Sequence, residues 1–495
     1  MSRISRRSLL TSGAAAGVLA ASGLALAAVP KTGGTLRAVL PGASIGDTWD
    51  ARTHSELFMM AAAHGAVFDC LTEIGPDGAL RGELAQSWDA SPDARVWTFD
   101  LRRDVTFHNG KAFGADDVLE TFALHGADSG SPAAPLLAGV QDIRKLTDHQ
   151  VQFELTAPNA DFPYLLSDYH LVIYPAGYVE LAMIGGIGTG LYRVASFEPG
   201  VVFRATRVDG HYKDGKAGFF DSLEFHAASS GEGLGLLQDG ATDAVGQISA
   251  SDAAQLADWN GVRLQKATGN AHVALSVLIH GDDGLNLRRA LQHGVDRRAL
   301  LDNVLLGHGD IGRDTPVGPA NQYFATKLDA PAFDPDLARH YLKASGVDRL
   351  DLALSQHLPA PASELGAAIS TQIGALGLPV QLGKASAGLH ASAGRATEDW
   401  ALSTYLTAGA PWNTSNWTHP VFEDLLLSAR AELDSTQRRA RYEDIQRLLQ
   451  TEGALTVPVF ADHLQAVSDR VATPSAIGRH WAMDNARFAE RWWRA

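Results

Sequence analysis

One cysteine, Cys70, is all the chain has. That excludes an intrachain disulfide and any zinc or iron–sulfur site built on clustered cysteines. Positive charge is also scarce: 41 lysines and arginines face 56 acids in 495 residues, a formal charge of −15. Nucleic-acid phosphates need a basic face, and this balance does not supply one. Past residue 30 no uncharged apolar run approaches the roughly 18 residues of a membrane span, which excludes a polytopic membrane protein. The 18 histidines form no H-E-x-x-H and no i, i+4 pair, the usual way to set two metal ligands on one helix face. Asp116-Asp117 and Glu423-Asp424 are adjacent acids, which point to different faces and read as solvated helix surface. No metal site, cofactor or catalytic constellation emerges. What remains is ordinary for a globular protein: 45% apolar and 20% charged residues, with length for about three domains at roughly 150 residues each.

The first thirty residues read as a targeting segment. Arg3, Arg6 and Arg7 precede an uncharged Ala/Gly/Leu stretch from Leu9 to Val29, and Ala25-Leu26-Ala27 is a small-x-small cleavage site. Ser5-Arg6-Arg7-Ser8-Leu9-Leu10 resembles a twin-arginine export signal. Cleavage near Ala27 removes three arginines and no acid. The expected mature protein is acidic, soluble and periplasmic.

Period-two alternation predicts strands at 33–40, in the 84–107 region, at 149–156 and at 219–225, with a hairpin of 191–197 and 201–206 about Glu198-Pro199-Gly200. Helical spacing predicts helices at 55–71, from Ala115, at 287–306, from Asp334 to near Gly346, at 363–376 and at 435–451. Short strands at 350–354, 380–382 and 400–407 alternate with them. The class is α/β, strand-rich first and helix-richer after about residue 270.

Three catalytic or nucleotide motifs come close. Gly42-Ala43-Ser44-Ile45-Gly46 matches G-x-S-x-G, but the nucleophile elbow needs a helix straight after the serine and Asp47-Thr48-Trp49-Asp50 is loop-like. A hydrolase using Ser44 is the alternative of another class. The segment 210–217 nearly matches a phosphate loop, yet Ala217 stands where a hydroxyl is needed and strand follows. Gly185 to Gly190 is also followed by strand, which leaves no helix N-terminus for a pyrophosphate.

A longer pattern runs from Glu83-Leu84-Ala85-Gln86-Ser87-Trp88 through Trp97-Thr98-Phe99-Asp100-Leu101-Arg102, Val105-Thr106-Phe107-His108-Asn109-Gly110 and Phe113 to Ala115-Asp116-Asp117-Val118. It resembles the signature of the family 5 extracellular solute-binding proteins, the peptide-, opine- and nickel-binding components of ABC importers. Gly188-Thr189-Gly190-Leu191-Tyr192, Leu287 to Arg297 and Phe333 to Arg339 resemble further family segments in order. The resemblance covers 33–490 and implies a two-lobed periplasmic binding protein fold with a subdomain inserted in lobe I. It places lobe I at 33–65, 185–272 and 466–495, the inserted subdomain at 66–184 and lobe II at 273–465. It implies a small-molecule or peptide ligand held in the interlobe cleft, and a membrane permease complex as partner to a monomer. Nickel or a metal chelate is the alternative ligand.

In peptide-binding members of that family an aspartate in the loop after residue 407 holds the ligand's ammonium. Here 400–422 contains no Asp or Glu. The loop offers Trp412 and Trp417 for apolar or cation–π contact and Asn413 and Asn416 as hydrogen bonders. Tyr405 precedes it. Trp49 and Asp47, with Asp50 beside them, are the lobe I candidates.

Overall fold

The structure, a computed structural model, describes residues 30–354, 361–382, 387–410 and 413–495. The export segment and Trp412 lie outside them.

A 12-stranded sheet forms the backbone of the molecule. Its first half centres on Thr35–Leu40, which pairs in parallel with Ser222–Ala227 and Ala244–Val245. Leu36, Ala38, Val39 and Leu40 are all fully buried, so this strand is covered on both faces, as parallel strands are. Val202–Arg207 and Tyr192–Glu198 extend the sheet outward as the expected hairpin. On the other side Ala244–Val245 meets Val459–Ser468, which runs antiparallel to the 16-residue strand Val262–Val277. These two strands carry the sheet from one half to the other. Val262–Val277 then takes Ala387–Ser392, followed by Leu350–Leu354 and Val380–Leu382.

The crossing ladder slips register between Ala267 and Ala271. Gly269 lies in that irregularity, and a Cβ there would come 2.5 Å from the Ala461 carbonyl oxygen. Glycine allows the close approach that lets one long strand serve two halves.

A separate four-stranded antiparallel sheet orders Ala85–Ala90, Val96–Leu101, Gln150–Leu155 and Val140–Thr147. Its core is aromatic: Phe99, Phe122, Phe153 and Phe162 meet at centroid distances of 5.2 to 6.4 Å. Helix Ala115–Ala123 covers it, with Asp116 and Asp117 in its first turn. The fold is thus α/β and two-lobed, with this small sheet as an additional unit.

Three elements differ from the sequence reading. The expected helix over 55–71 is only Leu57–Ala62, continued by a π turn at Ala63–Val67; the chain then extends, and the Cys70 amide donates to Glu83 Oε2 at 2.7 Å. The expected helix over 287–306 is two, Gly281–Gly294 and Arg297–Asn303, because Asp296 caps the second by accepting the Ala299 amide. Residues 400–407 are no strand: Glu398–Leu406 is a helix, started by Thr397 accepting the Trp400 amide. This helix is buried nearly all round, so no one-sided apolar stripe marked it in sequence.

Candidate functional site

The signature residues stitch the small sheet to the main one. Lys213 Nζ lies 2.9, 2.6 and 2.9 Å from carboxylate oxygens of Asp69, Glu83 and Glu490. Arg487 grips Glu83 through both guanidinium arms at 2.7 and 2.9 Å. Thr189 donates to the second oxygen of Asp69 at 2.9 Å. Asp69, Glu83 and Glu490 are also the group of described residues with oxygens close enough for a metal, and the Lys213 ammonium fills the space between them. The His108 amide donates to the Gly188 carbonyl, and its ring Nε2 meets the Gly190 carbonyl, both at 2.8 Å. A Cβ on Gly188 would come 2.0 Å from the Val67 carbonyl oxygen. Asp117 holds the Gly114 and Ala176 amides and Lys111. The motifs that are easiest to recognise are therefore structural joints, not ligand groups.

The candidate ligand residues separate into two sets. Trp49 is buried in the first core, its ring 4.8 Å from Phe197, 5.6 Å from Phe203 and 6.3 Å from Phe68. Its ring packs in that core, whereas its loop position suggested a ligand role. Asp47 accepts the Ser44 amide at 2.8 Å, and burial holds its carboxyl above the ordinary range. Asp50 caps the turn Ala51–Thr53 and pairs with Arg52 at 2.7 Å. Ser44 Oγ accepts the Gly46 amide, and turns rather than a helix follow it; the elbow geometry of a serine hydrolase is not formed.

The second set lies after the helix Glu398–Leu406. Asn413 is buried and donates to the carbonyls of Thr407 and Trp417 at 3.1 and 2.9 Å, closing the loop on itself. Trp417 stacks on His419 at 5.6 Å, meets Phe422 edge-on at 5.3 Å and donates to the Glu452 carbonyl at 3.1 Å. That ties its ring to the helical core of the second lobe. Asn416 is exposed at a positive φ of 52°, a conformation asparagine tolerates.

Tyr405 lies on the helix that precedes that loop. Its hydroxyl is 2.5 Å from Ser392 Oγ, and its ring lies 6.4 Å from both His272 and His390. Ser276 Oγ links His390 Nδ1 at 3.3 Å to Thr414 Oγ1 at 3.1 Å. The Arg395 guanidinium lies 5.6 Å from the Tyr405 centroid and 5.8 Å from that of Trp400. Burial pulls both imidazoles down to about 4, His272 and His390 alike, so both are neutral at neutral pH. Burial and Asp168 push the Tyr169 phenol well up, and the Arg395 charge pulls it back. Tyr169 also meets Trp481 edge-on at 5.8 Å. These mostly buried groups form a polar and aromatic wall at the C-terminal end of the strand Ala387–Ser392, and α/β folds place ligands beyond the carboxyl ends of their strands. Of its members the sequence reading singled out Tyr405 alone. Arg395, His272 and His390 were not found, though Gly394-Arg395 at a strand end was a usable signal.

Comparison with known proteins agrees with this architecture. The family model for bacterial extracellular solute-binding proteins, family 5, matches residues 79–428. The chain belongs to that family. It is 24% identical over 466 residues to the dipeptide-binding protein of Escherichia coli K12, covering 82% of this chain and 86% of that one. The PBP AgaA from A. tumefaciens R10, solved with agropinic acid, superposes with a TM-score of 0.80 at 20% identity over 93% of this chain and 99% of its own. NikZ from Campylobacter jejuni, solved with Ni(L-His), gives a TM-score of 0.77 at 19% identity over 93% and 99%. Among the described residues no helix is long and apolar enough to cross a membrane.

Proposed function

We propose that this chain is the exported, periplasmic solute-binding component of an ABC importer. It captures a small organic solute, peptide-like or opine-like, in the cleft between its lobes and hands it to the membrane permease. The observation that carries the reading is the Tyr405 wall: hydrogen-bonding side chains, two aromatic rings and one guanidinium gathered at the C-terminal end of the strand Ala387–Ser392. On this reading the protein acts by binding its solute rather than by catalysis.

The lobes proposed are 33–65 with 185–272 and 466–495, then 273–465, the unit 66–184 being inserted in the first. The two crossing strands at 262–277 and 459–468 supply the hinge. Arg6 and Arg7 direct export of the folded chain, with cleavage near Ala27.

Protein purified from its own periplasm should carry the solute, visible by native mass spectrometry as one defined added mass. Deletion of the gene should abolish uptake of that solute. Recovery of only the bare mass, with uptake unchanged in the deletion, refutes the importer role. Replacement of Arg6 and Arg7 by lysine should strand precursor in the cytoplasm.

A further inference from the structure

The contact between the four-stranded-sheet unit and the second half carries an uneven count of charges. Asp161, just past that sheet, faces Glu398 and Asp399 on the helix Glu398–Leu406, Arg430 on the helix Pro420–Arg430 and Arg438 on the helix Ser435–Glu452. All three carboxylates are buried. Each guanidinium takes one of them: Arg438 pairs with Asp161, and Arg430 Nε donates to Asp399 at 2.5 Å. Glu398 is left over. Among the described residues no ion pair joins it, and it accepts the Tyr323 amide at 2.5 Å.

Three buried carboxylates against two guanidiniums leave one negative charge in excess. Asp161 Oδ2 is buried there with no hydrogen-bond partner among the described residues, so the contact is short of donors as well as of positive charge. The rim does not settle the excess. Glu423, beside Arg430, is matched by Arg439 over the Tyr323 ring at 5.0 Å, and Glu432 is matched by Arg441 at 2.7 Å. The other titratable groups facing Glu398 are the Tyr164, Tyr323 and Tyr442 phenols, which burial raises and so keeps protonated at neutral pH. An unpaired buried charge is relieved most simply by protonation. Burial first, and Asp161 after it, raise the Glu398 carboxyl from the ordinary 4.5 to about 7 against the pull of the Tyr323 amide.

We infer that this contact takes up one proton, on Glu398, when it forms, and gives it back when the unit and the second half separate. Closure over a solute is then proton-linked. Once separated, Glu398 meets water and returns toward its ordinary range, so closure is favoured at low pH and weakens as pH rises through about 7. The step from this contact to the holding of a solute rests on the solute-binding reading; the proton linkage stands on the charge count alone.

The Ala160 amide reports the contact directly, since it donates to the Arg430 carbonyl at 2.8 Å across it. Its hydrogen exchange is measured in the full mature chain at about pH 5.5 and about pH 8, each rate divided by the intrinsic rate at that pH, in wild type and in Glu398→Gln. Wild type should lose about tenfold or more of its protection between the two, as follows for a carboxyl raised from 4.5 to about 7 by the contact. Glu398→Gln keeps an acceptor for the Tyr323 amide and carries no charge, so its protection should be the same at both. Small-angle scattering should show a radius of gyration that rises with pH in wild type alone. Protection independent of pH in wild type, or a fall that persists undiminished in Glu398→Gln, overturns the inference. Should Glu398→Gln fail to fold, Asp399→Asn tests the same count: with two carboxylates against two guanidiniums the pH response should shrink, and a response of wild-type size overturns the inference. Failure here leaves the importer reading standing, because that reading is judged by the co-purified solute and its uptake.

Discussion

Replacing Arg438 by methionine should open the molecule. Asp161 lies just past the four-stranded sheet, and Arg438 on the helix Ser435–Glu452 of the second half reaches it in a contact where both side chains are under one tenth exposed. The Arg438 guanidinium also lies 5.8 Å from the rings of both Tyr323 and Tyr442. Beside the pair, the Ala160 amide donates to the Arg430 carbonyl at 2.8 Å, and Trp400 and Ala396 join the core of the small sheet. This is the junction between the inserted unit and the second lobe. Burial already pushes the Asp161 carboxyl up, with Arg438 pulling against it. Without Arg438 the carboxyl must stay charged in a dry contact or take a proton. Protonating an ordinary aspartate at pH 7 costs about 4 kcal/mol, from roughly three pKa units at 1.36 kcal/mol each. Measured losses on breaking a buried pair run to about 3–5 kcal/mol. A loss of that size acting on the contact shifts closed against open by about a thousandfold. Small-angle scattering should show a larger radius of gyration for Arg438→Met than for wild type. Arg438→Met combined with Asp161→Leu should regain most of the compact form, because no charge is then left to bury. A single variant as compact as wild type, or a double variant as open as the single, would refute the argument.

Other outcomes follow from the same reasoning. Trp49→Ala should lower unfolding stability by about 3–5 kcal/mol in chemical denaturation while leaving solute affinity unchanged; an affinity loss at unchanged stability would return Trp49 to the cleft. Lys213→Met strips the ammonium from Asp69, Glu83 and Glu490 and should lose about 3–5 kcal/mol or more, read as a lower melting temperature. Glu398 has its carboxyl raised from the ordinary 4.5 to about 7, by burial first and by Asp161. The folded state then binds the extra proton, so this group's contribution is full below pH 4.5 and is lost as pH rises through 7, about 3 kcal/mol in all. Glu398→Gln should flatten that segment of the stability–pH curve, and an unchanged slope would place the titration elsewhere.

How much of this was legible in the sequence depended on what each residue touches. Strands with one buried face, such as Gln150–Leu155 with Val151, Phe153 and Leu155 inward, announce themselves by alternation. The family signature was legible for a different reason: Glu83, His108, Asp117 and Gly188 each satisfy a buried partner distant in sequence, and few residue types can do so. The helix Glu398–Leu406 was not legible, since burial on all sides leaves no period to detect. The proposed ligand wall was hardest. Asn270 and His272, His390 to Arg395, and Tyr405 come from three separate stretches brought together only by the pairing of Val262–Val277 with Ala387–Ser392 and the helix behind them. Trp49 and Trp417 stood out because tryptophan is conspicuous in a loop, yet large rings in loops are also what folds use to anchor those loops. Arg395 carried a signal of another kind, a glycine–arginine pair at a strand end. Charge on a wall is visible in sequence only once topology says which residues share that wall.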